Sequence, residues 1–512
     1  MASLENLKDL AKGISRNKVK NIHVIGNHGS ETVFDKFYQF LIEDQYATDE
    51  EYANYFYPDT TNYHAFYKLK DRLFNRLINT VFFIDINKKG LVPVQKAFYE
   101  CYKNAAAVKI LLGKGIRVPA IGLAEKTLKK CLLFGFTDLV IELARHIRMQ
   151  YASFDPQEKD FNFYTSIIDK HLKIYKKEIE TEEYLYSLLL KHENRTNLNQ
   201  YYAKVLKTQK NRIKKILLKG VSSMRINLYC YFFLFTYYEL SGNWKKLIKI
   251  CDEVIQKEVS NPNVFTPTLL GNSYYRKIKS LFILEKYALA ESMISKCLSH
   301  FKMRSHDWFS VQDIHIKICL HNRKYTEASK ILEKINEFKK DNYYYKTWQE
   351  NVKVYDAFLH YLQCIGRLAP SLLENENPPS FRLQKFLNEV PNHSKDKKGS
   401  NVTILILQIL FLLEQRKYDD IIDRTESLRV YVQRYLKEDG TYRSNCFIKM
   451  LLCLPAGNFE RPEVAAKAQE YLDRLHAMPI RKAKQSAELE VMPYEMLWEF
   501  VLESLDRKAT SN

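Results

Sequence analysis

His321-Asn-Arg-Lys-Tyr325-Thr-Glu-Ala328-Ser-Lys-Ile331-Leu332 closes one helix, turns over three polar residues and opens another. After the turn, Tyr325, Ala328, Leu332 and Ile335 recur every three or four residues, the step that lays side chains along one face of a helix. An aromatic at the start of the second helix plugs the open end of a helical hairpin. The smaller apolar residue three positions on lets the two helices approach. The same event recurs at Leu133-Phe-Gly-Phe136-Thr-Asp-Leu139, Leu240-Ser-Gly-Asn-Trp244-Lys-Lys-Leu247, Leu284-Glu-Lys-Tyr287-Ala-Leu-Ala290 and Glu414-Gln-Arg-Lys-Tyr418-Asp-Asp-Ile421. A single hairpin cannot bury its apolar face alone, so consecutive hairpins are expected to stack.

On these residues the chain resembles the tetratricopeptide repeat (TPR) family, with Phe136, Trp244, Tyr287, Tyr325 and Tyr418 as the structural anchors of the repeats. The resemblance covers residues 225–340 best, and 120–151 and 402–436 more loosely. It implies an all-α fold of stacked antiparallel helical hairpins, a TPR-like α-solenoid, acting as a protein-interaction scaffold. Trp244 and Tyr287 are 43 residues apart and Tyr287 and Tyr325 are 38 apart. Both intervals exceed the roughly 34-residue period of the family, so longer helices are expected. Residues 348–361 read as a helix of one further hairpin.

Composition agrees with helices. Only 15 Gly and 14 Pro punctuate 512 residues, too few for an array of tight β-turns. Hydrophobic residues are 46% and charged residues 27%, an ordinary globular balance. Nine scattered cysteines without a Cys-x-x-Cys pair indicate a reducing compartment. The opening Met1-Ala-Ser-Leu-Glu-Asn lacks a secretory apolar core. The longest apolar runs, 228–238 and 402–413, fall short of a membrane span and read as buried helices. A cytoplasmic location is expected.

Three segments follow: 1–92 as a small, mainly helical N-terminal module, 93–390 as the repeat array, and 401–512 as C-terminal hairpins with a capping helix from Pro493 carrying Leu497, Val501 and Leu505. Within the first, residues 17–30 suggest a short strand or extended turn, and Gly26-Asn-His-Gly29-Ser30 a turn with Ser30 capping a helix over 31–44. Thr48 caps a helix over 49–57. A long helix over 63–84 follows, with Phe66, Leu69, Leu73, Leu77 and Val81 on its buried stripe and Lys68, Arg72 and Arg76 on another face. The short-helix, turn, long-helix pattern loosely resembles the winged modules that precede repeat arrays in bacterial regulators. Lys68, Arg72 and Arg76 would then meet phosphates, with Asn75 or Asn79 facing bases.

The net charge of +19 draws attention to anionic partners. A second basic region over 195–225, including Lys204, Lys207, Lys210, Arg212, Lys214, Lys215 and Lys219 beside Tyr201 and Tyr202, suits single-stranded nucleic acid or an acidic protein. For either basic region the leading reading is a solvated helix face. His300, His306, His315 and His321, weighed with Asp307 and Asp313, show no metal-ligand pair at helical spacing, and no catalytic motif appears. The expected function is a non-enzymatic scaffold for protein partners, without catalytic residues, cofactor or metal. A nucleic-acid-binding regulator is the alternative.

Overall fold

Every regular element among the described residues of the computed structural model is helical. It describes residues 4–8, 11, 32–58, 63–83, 93–193, 200–218, 223–260, 266–338, 343–369, 386, 400–435, 441–483 and 490–507. The expected strand or turn over 17–30, and with it the Gly26–Ser30 stretch, lies outside these residues, as do Tyr201 and Tyr202 side chains and Lys219. No described helix is long and apolar enough to cross a membrane. The chain divides into two compact units, residues 1–180 with 221–224, and residues 181–220 with 225–512.

The first unit holds α1 (Val33–Glu43), α2 (Asp49–Phe56), α3 (His64–Val81), α4 (Pro93–Gly113), α5 (Arg117–Phe134) and α6 (Thr137–Ser153). α7 (Glu158–Glu193) belongs to it as far as residue 180. α1 starts at Thr32 rather than Ser30, because Thr32 and Asp35 cap each other reciprocally. Thr48 and Glu51 form the same box at α2. Phe66, Leu69, Leu73 and Leu77 of α3 are buried against Phe37 and Tyr52. Val81 departs from that stripe: the helix ends there, Val81 is exposed, and Thr80 is buried in its place. α4, α5 and α6 pack in succession around Cys101, Leu128 and Leu143.

The second unit continues with α8 (Gln200–Leu218), α9 (Met224–Leu240), α10 (Trp244–Ser260) and α11 (Pro267–Ile283). Next comes a helix broken into α12 (Tyr287–Glu291) and α13 (Ile294–Leu298). Then follow α14 (His306–His321), α15 (Tyr325–Asn336), α16 (Tyr343–Cys364), α17 (Ser400–Glu414) and α18 (Tyr418–Tyr435). α19 (Tyr442–Leu451), α20 (Cys453–Ala456), α21 (Arg461–Ala477) and α22 (Tyr494–Asp506) complete it. Neighbours in sequence pack on one another from α10 to α11 and from α14 through α18, and α16 finds its partner in α17 across residues 365–399. α14 and α17 are buried almost all round, as befits central helices. α22 does more than cap an end: Leu497 and Val501 enter the same core as α17 and α21.

The five aromatic turns share one backbone device. The residue one or two before each aromatic is left-handed: Gly135 (φ 73°), Gly242 (62°), Glu285 (61°), Arg323 (58°) and Arg416 (56°). The following N–H then reaches back five residues. Phe136 donates to the Cys131 carbonyl, Asn243 to Tyr238, Lys286 to Leu281, Lys324 to Cys319 and Lys417 to Leu412, all at 2.8–3.0 Å. This closure satisfies carbonyls that the helix end leaves unpaired and reverses the chain. Three residues past each aromatic, Leu139, Leu247, Ala290, Ala328 and Ile421 are all buried. Phe136 and Tyr325 are buried too, while Trp244 and Tyr287 pack half-buried on the core around Ile278 and Ile294. Tyr418 stays 37% exposed, its ring stacked 4.2 Å from that of Phe459 at the α20–α21 turn.

Candidate functional site

α8 turns Leu206 and Ile213 inward and presents lysines on its other faces. Lys207, Lys210 and Lys214 follow a three-then-four spacing and so share one side. Lys210 Nζ lies 5.3 Å from the Tyr237 ring centre and Lys214 Nζ 5.9 Å from that of Tyr238, both on the last turn of α9. The chain then reverses at Gly242, and α10 opens with Lys246. Burial pushes the half-buried Lys210 ammonium below its ordinary pKa, and Lys214, Lys207 and Lys246 push it the same way. Lys210 therefore feels the charge of the other three. Among the described residues none of them meets a carboxylate within ion-pair distance.

Their surroundings make this unusual. On the adjoining helices Lys257 pairs with Glu253 at 2.8 Å, Lys277 with Asp252 at 2.5 Å and Arg276 with Glu239. Arg212, counted in the same basic run, points elsewhere and donates to the Tyr184 hydroxyl at 3.1 Å. Like charges left adjacent raise the energy of the free protein and are relieved by an anion.

The basic stripe of α3 is less open. Lys68 and Arg72 are exposed, but the Arg76 guanidinium sits 4.5 Å over the Phe34 ring. The neighbouring Lys70 is buried and held by Asp49 at 2.7 and 2.8 Å. α2 begins with Asp49, Glu50 and Glu51, carboxylates that would repel a nucleic-acid backbone passing its N-terminus.

Comparison of the chain with family models, curated proteins and solved structures gives no match.

Two further polar clusters occur in the second unit. In the first, Arg443 is 1% exposed and grips Glu490 through Nε and Nη2 at 2.8 Å each. It also grips Glu495 at 2.8–2.9 Å and donates to the carbonyls of Leu475 and Met478. The Glu490 carbonyl accepts from His321 Nε2 at 3.0 Å, which fixes the imidazole tautomer and lets Nδ1 accept from the Tyr287 hydroxyl at 3.1 Å. This network ties the anchor Tyr287, the end of α14 and the segment before α22 into one unit. Its strongest donors and acceptors are already spent on each other, the signature of a clamp.

In the second cluster, coordinating atoms of Glu291, His315 and Cys319 all lie within 4.8 Å of one another. The pair that matters is His315 with Cys319, four residues apart on α14, while Glu291 arrives from α12. Arg443 and Glu490 carry no local signal at all, since their partners are brought together only by the packing of α19, α21 and α22.

Proposed function

We propose that the chain is a non-enzymatic interaction scaffold of TPR-like stacked hairpins whose lysine face on α8 and α10 receives an acidic protein segment. The reading rests on one observation: Lys210 and Lys214 lie over the adjoining rings of Tyr237 and Tyr238, Lys210 feels Lys207, Lys214 and Lys246, and among the described residues none of the four pairs with a carboxylate. The chemistry favours a protein over a nucleic acid. Base stacking needs an open aromatic face, and the rings of Tyr237 and Tyr238 already face Lys210 and Lys214. A flexible run of Asp and Glu can adapt to four such charges.

The test is fluorescence anisotropy of a labelled Asp/Glu-rich peptide and of a single-stranded oligonucleotide with the same number of charges. Both are titrated with the full chain at low and at near-physiological salt. The peptide is expected to bind better than the oligonucleotide, to weaken with salt as exposed charge pairs are screened, and to bind roughly tenfold or more weakly to the Lys207→Ala/Lys210→Ala/Lys214→Ala/Lys246→Ala variant. No peptide binding at low salt, or equal binding by the variant, overturns the proposal. Preference for the oligonucleotide, lost on Lys68→Ala/Arg72→Ala, moves the function to α3 and to nucleic acid.

A further inference from the structure

The broken helix after Tyr287 brings an acid to the side of α14. α12 ends at Glu291 and packs on α14, where His315 and Cys319 are one helical turn apart and so share a face. The coordinating atoms of the three side chains are within 4.8 Å of one another. Two of these groups are otherwise idle. The buried thiols of Cys297 and Cys453 donate to the carbonyls of Gly271 and Lys449, whereas among the described residues the buried Cys319 thiol makes no hydrogen bond, and neither does the His315 ring. Glu291 alone is engaged: both its carboxylate oxygens accept from Lys324 Nζ, at 2.8 and 3.0 Å.

An imidazole nitrogen, a thiol sulfur and a carboxylate oxygen make up a donor set suited to a borderline-soft divalent ion. Calcium and magnesium favour all-oxygen shells. We propose that Glu291, His315 and Cys319 form a mononuclear site for a zinc-class cation, with water in the fourth position. Tetrahedral bond lengths place such donors roughly 3.5 Å apart, so the ligand atoms need to close by up to about an ångström, a shift that rotation of the three side chains supplies. One carboxylate oxygen turns to the metal while the other keeps Lys324, giving the ligand a charged partner of its own. The balance is simple. The ion enters as M²⁺, the Cys319 S–H bond breaks, its proton leaves to solvent and a metal–sulfur bond forms, with no change of oxidation state. Bound metal would staple the short α12 to α14 and so lock the Tyr287 hairpin onto the next one. This site is independent of the lysine face.

Cobalt(II) titration of the purified, reduced full chain provides the test, because a thiolate ligand adds an intense near-ultraviolet charge-transfer band and tetrahedral geometry adds visible bands. One equivalent of cobalt is expected to develop both, one equivalent of zinc to bleach them, and zinc to raise the unfolding temperature. The charge-transfer band is expected to vanish in Cys319→Ser. Glu291→Gln, a half-buried position that leaves the core untouched, is expected to weaken binding by roughly tenfold or more without loss of helical circular dichroism. Absence of a thiolate band in the wild-type chain overturns the proposal. So does a band that persists unchanged in Cys319→Ser, or in folded Glu291→Gln with unaltered affinity.

Discussion

Replacing Arg443 with methionine removes a guanidinium that lies 1% exposed and serves two carboxylates and two backbone carbonyls. Glu490 is equally buried and, once Arg443 is gone, its carboxylate keeps, among the described residues, the Tyr494 backbone N–H at 3.0 Å. An ionised carboxylate stranded in that position costs about 3–5 kcal/mol. That is a large share of the roughly 5–15 kcal/mol that holds a domain folded. All four tryptophans (Trp244, Trp308, Trp348 and Trp498) lie in the second unit, so intrinsic fluorescence during urea unfolding follows that unit specifically. The Arg443→Met midpoint is expected to fall steeply. Adding Glu490→Gln should restore a substantial part of the loss, because the cycle removes the unpaired charge. A cost below about 1 kcal/mol, or a double variant no better than the single, would refute the view that this buried pair docks the segment before α22.

Acid should weaken the same region. Burial holds His321 neutral, its pKa pushed down to about 4, and an unfolded histidine titrates near 6.5. The folded chain therefore binds fewer protons than the unfolded chain between these values. Its stability contribution is complete above about pH 6.5 and falls by about 3 kcal/mol as pH drops toward 4. His321→Gln is expected to flatten unfolding-versus-pH curves by that amount, the remaining slope coming from His146, His300, His315 and His360, which are shifted in the same direction; an unchanged slope contradicts the assignment. Eight of the nine cysteines are buried and Cys364 is exposed. A thiol reagent should accordingly modify one residue in the native chain, slowly at neutral pH because partial desolvation of the sulfur and the nearby Glu414 push its pKa up, and Cys364→Ser should leave none. Glu285 holds a left-handed turn at φ 61° and its carboxylate lies 4.0 Å from the exposed Arg481 guanidinium; Glu285→Gly should raise stability by about 0.5–1 kcal/mol in the same urea assay, and a loss would show that the Arg481 pair outweighs the backbone strain.

What the sequence reveals and hides divides along the range of the interactions. The aromatic turns are legible because everything that makes them lies within eight residues: polar turn, left-handed residue, aromatic, small apolar residue. The Thr48 cap and the Phe66–Leu77 stripe are legible for the same reason. Helix boundaries slip where tertiary packing decides, as at Val81, which the periodicity buries and the end of α3 exposes. The pairing of α16 with α17 spans more than thirty intervening residues and leaves no periodic trace. The His321–Glu490 hydrogen bond joins positions 169 apart. At the candidate surface, the run containing Lys207, Lys210 and Lys214 stands out in the sequence. Lys246 does not, because it joins them only when the turn at Gly242 folds α10 back. The metal-type triad is likewise half visible: His315 and Cys319 share a helical spacing, and Glu291 comes from another element.

The most direct measurement is lysine footprinting of the full chain. Amine acetylation is mapped residue by residue by mass spectrometry, with and without a saturating acidic peptide at low salt. Protection concentrated at Lys207, Lys210, Lys214 and Lys246, with Lys68 labelled equally in both states, is the expected result. Protection spread evenly over the surface, or centred away from α8 and α10, would contradict the account.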